Sequence, residues 1–185
     1  MQELTNIEFY NTPEGDVMIK EIGSPVKVLD EKDRDFISKM LSIIKDRYPD
    51  AFNALMDIYS KSSRNVPYFQ FKAVSRFIRC NFGEYDYNHF DIESGSFSFE
   101  EVRCPLRGEC KHECVICKPR LNTALTDREL EVLRLIARNM QTDAIADELH
   151  ISPCTVARHR DNIRQKIGAK NTAELVKYWL QNNLK

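Results

Sequence analysis

The spacing of apolar positions along the chain changes several times, and each change marks a different kind of structure. Near the start, apolar and polar residues alternate. Ile7 and Phe9 flank a glutamate, Val17 and Ile19 flank a methionine, and residues 11–16 between them hold Pro13 and Gly15. Alternation broken by turn residues predicts two paired strands. The period then lengthens. Phe36, Ile37, Met40, Leu41 and Ile44 share one face of a helix over 31–47. Phe52, Leu55, Met56 and Tyr59 do so over 50–61, and Phe69, Ala73, Phe77 and Ile78 over 67–82. Alternation returns at 89–93 and 96–100, where a loop at Ser94-Gly95 pairs Ile92 with Phe97 and Phe90 with Phe99 on one face. Hairpin, three helices and hairpin predict an α+β domain over 1–102.

From residue 121 the pattern is helical throughout. Thr126 with Glu129 reads as a capping box, so a helix starts there. Leu130, Leu133, Leu135, Ile136 and Ala137 supply its apolar face, and Asn139 suits the left-handed stop. A short helix over 142–149 turns Ile145, Ala146 and Leu149 inward. Ser152 is a good N-cap, Pro153 fits the first helical position, and Gly168 ends the third helix. Asn171 with Glu174 repeats the capping box for a fourth helix that runs to about Leu184.

The third helix carries the chemistry. Val156, Ile163 and Ile167 form one narrow apolar stripe. The opposite face carries Cys154, Ala157, Arg158, Asp161 and Gln165, flanked by Thr155, Asn162 and Lys166 on one side and by Arg160 and Arg164 on the other. A polar strip with cationic and amide flanks suits the major groove of duplex DNA, the strip reading base edges and the flanks holding phosphates. His159, beside the apolar stripe, reads as a packed, hydrogen-bonded core-edge residue with no catalytic part.

This segment resembles the LuxR-type helix-turn-helix domain. The resemblance is carried by Leu125-Thr126-x-Arg128-Glu129-x-Glu131-Val132-Leu133, by Ile145-Ala146-x-x-Leu149-x-Ile151-Ser152, by Thr155-Val156-x-x-His159 and by Asn162-Ile163-x-x-Lys166-Ile167-Gly168. It covers the last third of the chain, as a four-helix domain over 121–185. It implies a DNA-binding transcriptional regulator whose third helix enters the major groove and whose fourth helix pairs two copies in a homodimer. By resemblance the groove-reading positions are Ala157, Arg158 and Asp161. Many members place a lysine where this chain has Ala157, which leaves Arg158 as the cation of that trio, with guanine as its expected base. Asp161 is expected either to accept from a base amino group or to orient Arg158.

Charge sharpens this picture. The net charge is −1, yet ten Lys and Arg stand against eight Asp and Glu from residue 121 on, and four cations against one acid in 152–168. The positive field is local, so weak non-specific binding and reliance on dimerisation are expected. A sigma-factor-like subunit that joins RNA polymerase is the alternative reading, but the net-acidic first half does not suit strand opening. A phosphoreceiver domain is excluded there for want of alternating parallel strands and helices. Sixteen of the 18 aromatic residues precede residue 121, enough for a dense core in a sensor or protein-contact domain. No nucleophile–base pair, phosphate loop or acidic metal pair points to an enzyme. No apolar run nears the roughly 20 residues of a membrane span, and no leader pattern opens the chain, so a cytoplasmic protein is expected.

In the cytoplasm thiols stay reduced, and clustered cysteines favour metals over disulfides. Four of the six cysteines fall close together as Cys104-x5-Cys110-x3-Cys114-x2-Cys117, in a loop-like connector over 103–120 with Pro105, Gly108 and Pro119. Four thiolates complete a tetrahedral zinc site. An iron–sulfur cluster or a thiol redox switch is the alternative, and unliganded thiols are a third. His112 is a spare ligand. Cys80 reads as a buried small hydrophobe, and Cys154 as a small side chain at a close-contact position.

Overall fold

The computed structural model describes residues 4–83, 85, 90–93, 95–182 and 184. It divides into two compact units, 1–122 and 123–185.

The first unit is α+β. Strands β1 (Ile7–Asn11) and β2 (Val17–Glu21) form the expected antiparallel hairpin, with Phe9 opposite Ile19. Gly15, at φ +93°, makes its turn. Strand β3 (Lys27–Val28) adds to β2 as an edge that hydrophobic alternation does not reveal, because it is two residues long and both are exposed. Helices α1 (Arg34–Arg47), α2 (Pro49–Ile58) and α3 (Val66–Asn81) follow. The five apolar residues expected inward on α1 are all buried. Helix α2 stops sooner than its pattern suggests, and a 3-10 turn at Ser60–Ser62 takes over. On α3, Asn65 caps by accepting from the Tyr68 N–H.

Strands β4 (Ile92–Glu93) and β5 (Ser96–Phe97) close a five-stranded antiparallel sheet in the order β3-β2-β1-β4-β5. Ile92 pairs with Phe97 as expected. The proposed register partners Phe90 and Phe99 fall outside both strands, and His89 and Ser94 lie outside the described residues. Phe99 instead joins Tyr48, Phe77, Phe82 and Phe97 in a ring cluster with centroids 5.3–6.3 Å apart. Such edge and offset pairs add to their area burial.

The second unit is all helix: α4 (Asp127–Ala137), α5 (Thr142–Leu149), α6 (Pro153–Ile167) and α7 (Thr172–Gln181). Val132, Leu133, Ile145, Val156, Ile163 and Leu175 are fully buried between them. The Thr126–Glu129 capping box is complete. That at Asn171 is half formed: its side chain accepts from the Glu174 N–H, but Glu174 reaches back to the Lys170 N–H at 2.7 Å. Helix α7 also ends at Gln181 rather than near Leu184, which packs against the core beyond it. No described helix is long and apolar enough to cross a membrane.

Candidate nucleic-acid interface

The geometry of α6 begins at its ends. Ser152 Oγ accepts the Thr155 N–H at 3.1 Å, and Thr155 Oγ1 lies 2.8 Å from the same oxygen. Pro153 is the first helical residue, and Gly168, at φ +73°, stops the helix. The turn before it is set by His150 in the left-handed conformation at φ +53°. Val156 and Ile163 anchor the helix in the core, with Ile167 partly buried. That leaves Cys154, Ala157, Arg158, Asp161, Asn162, Gln165 and Lys166 exposed, and Thr155, Arg160 and Arg164 half-buried.

The cations differ sharply in their freedom. Lys166 Nζ lies 2.6 Å from Glu129 Oε2, and Glu129 is only 3 % exposed. Burial alone would raise the Glu129 carboxyl. The hydrogen bonds from Lys166 and from Thr126, with the lysine charge, outweigh this and hold it below the usual carboxylate value. Arg160 reaches Thr142 at 3.5 Å and Thr172 at 3.2 Å, joining the starts of α5 and α7. Its burial and the nearby Arg164 charge push its pKa down, against the pull of Asp161. Arg164 pairs with Asp161 at 3.3 Å. The expected orienting contact of Asp161 is therefore made to Arg164, one turn away, rather than to Arg158. Arg158 is exposed and makes no ion pair or hydrogen bond among the described residues. His159 is packed as expected, but its Nδ1 is buried without a hydrogen-bond partner among them.

Sequence reasoning gave no role to Arg128, which bonds the Leu149 carbonyl at 2.8 Å and Glu131 at 2.7 Å. It ties the start of α4 to the end of α5, and only the helix-turn-helix geometry discloses that.

Residues 123–179 match the family described as bacterial regulatory proteins, luxR family. They form a luxR-family domain. Over 60 residues the chain is 43% identical to the oxygen regulatory protein NreC of Staphylococcus aureus, in strains JH9, JH1 and Mu3 / ATCC 700698. That stretch is 32% of this chain and spans 28% of the length of those relatives. No solved structure matches the chain. The luxR-family match begins one residue after the first unit ends.

Five of the six cysteines lie outside the luxR-family domain, in the α+β unit. Cys104, Cys110 and Cys117 line one small cavity of about 30 Å³, together with Cys80, His112 and Arg76. Cys114 does not line it. It is exposed, sits at φ +58°, and gives its N–H to Cys117 Sγ at 3.3 Å. Cys80, in the last turn of α3, is half-buried, and burial raises its thiol pKa against the pull of the Arg76 charge. No spacing rule finds Cys80, which stands far from the cluster in sequence and is brought there by α3. Among the described residues, the set of three ligand atoms mutually within 4.8 Å is the acidic trio Glu8, Asp91 and Glu100, so no three of the thiols come that close to one another.

Proposed function

We propose that the chain is a sequence-specific DNA-binding transcriptional regulator that acts as a homodimer, with α6 in the major groove and a metal ion held by its cysteine-rich connector. The observation that carries the reading is the exposed Arg158, unpaired among the described residues, in the middle of a capped α6 on a domain of the luxR family. A guanidinium with no partner among the described residues keeps its fork of donors for a guanine edge, while Thr155, Ala157, Asp161 and Asn162 lie on or beside the same face. Arg160, Arg164 and Lys166 are engaged within the fold, so they hold the reading helix first and meet phosphates second. The homodimer is what the LuxR-type resemblance implies, with α7, the fourth helix of that domain, pairing the two copies.

Footprinting with the full chain should protect two half-sites about 34–36 Å apart, one helical turn. Arg158→Ala should relax base choice at one position per half-site, with discrimination falling by about 1–3 kcal/mol. An equal loss of affinity on every duplex would instead make Arg158 a phosphate contact.

A further inference from the structure

We infer that Cys80, Cys104, Cys110 and Cys117 form a tetrathiolate zinc site, with Cys114 outside it. The inference rests on reading the connector as metal-binding and names a ligand set that sequence spacing does not. Three observations carry it. The four thiols line one cavity, while Cys114 is exposed and offers only its N–H to the Cys117 sulfur. The cavity is small, about 30 Å³, and four thiolates complete the tetrahedral shell of a single zinc ion. Its walls are also built to hold these thiols. Asn81, next to Cys80 and fully buried, donates to the Ile116 carbonyl at 2.9 Å and accepts from the Lys118 N–H at 2.6 Å. One rigid side chain thus grips the backbone on both sides of Cys117 and holds it beside the end of α3.

Arg76 completes the site. One helical turn before Cys80, it lines the same cavity, and its Nε is buried with no acceptor among the described residues. Four thiolates around a divalent ion carry a net charge of about −2, and a guanidinium N–H beside them offsets part of it. Zinc–sulfur bonds of about 2.3 Å place tetrahedral sulfurs about 3.8 Å apart. No three of the thiols lie within 4.8 Å of one another, so ligation draws the sulfurs inward, and it releases their protons. The site staples the connector to α3 within the first unit.

Two competing sets share the cavity region: one with Cys114 in place of Cys80, the other with His112. Full-length chain loaded with cobalt(II) separates them, because the thiolate charge-transfer band scales with the number of sulfur ligands. Cys114→Ser/Cys154→Ser leaves only the four proposed thiols. It should bind one ion per chain with an unchanged band and a zinc affinity within tenfold of wild type. Cys80→Ser should weaken zinc by more than the roughly 10–100-fold that loss of an outer-shell partner costs. His112→Asn should leave the ion in place, and it decides the matter even if Cys80→Ser does not fold. A band reduced by about a quarter in the double variant, as expected for one of four ligands lost, overturns the set in favour of Cys114. Loss of the ion from His112→Asn overturns it in favour of His112, and an unchanged band in Cys80→Ser overturns it by removing Cys80 from the set. A wild-type chain that takes up neither zinc nor cobalt overturns the metal reading itself.

Discussion

Glu129 and Lys166 make a single link with two duties. The carboxylate closes the cap of α4 and anchors the far end of α6, at 2.8 Å from the Thr126 N–H and 2.6 Å from Lys166. Removing the lysine leaves an almost fully buried acceptor short of its charged partner. Lys166→Ala should therefore cost about 1–3 kcal/mol in a denaturant melt, before any effect on DNA. The pH dependence has a definite sign. Because the folded carboxyl is held below its ordinary value of 4.5, the link stabilises fully above that pH and is lost as pH falls through the lower folded value. Wild type should thus lose stability relative to Lys166→Ala as the solution is acidified below 4.5. Curves that stay parallel through that range would deny the pair its role.

At the scale of the element, α6 depends on its cap as much as on its stripe. Only Val156 and Ile163 are fully buried along it, so the helix has little apolar burial to hold its start. Ser152→Ala should cost about 1 kcal/mol of stability, read as a lower midpoint for thermal unfolding of the helical unit, and should weaken DNA binding on all sequences alike. The elements themselves were largely legible in the chain. Stop and start residues such as Thr126, Asn139, Ser152 and Gly168 act locally, and a local signal survives in a linear reading. What was not legible depends on distance. Strand β3 exists because β2 offers it an edge, Asp161 turns to Arg164 because α6 brings them together, and Cys80 meets Cys117 only because α3 ends beside the connector. The exposure of Arg158 follows from pattern, but its lack of a partner among the described residues is a property of the packed domain.

For the whole molecule, the two units have separate cores. One cluster runs from Leu4 to Leu121 and the other from Leu125 to Leu184, with no residue in common. Calorimetry of the full chain should accordingly show two transitions. A chelator should lower only that of the α+β unit, since a ligand stabilises the unit that binds it, whereas acid should act on both, through Glu129 in the helical unit and through Asp33, whose carboxyl is also held below its ordinary value, in the other. A single transition shifted by both treatments would mean that the units unfold as one. The Asn81 clamp has a further consequence, which concerns time. It joins Lys118 to a residue 37 positions earlier, and closing a loop of that length has an entropic cost that local helix formation does not. The connector is therefore expected to settle after α3 has formed, and exchange of the Lys118 amide proton, which that grip shields, should report how often it opens.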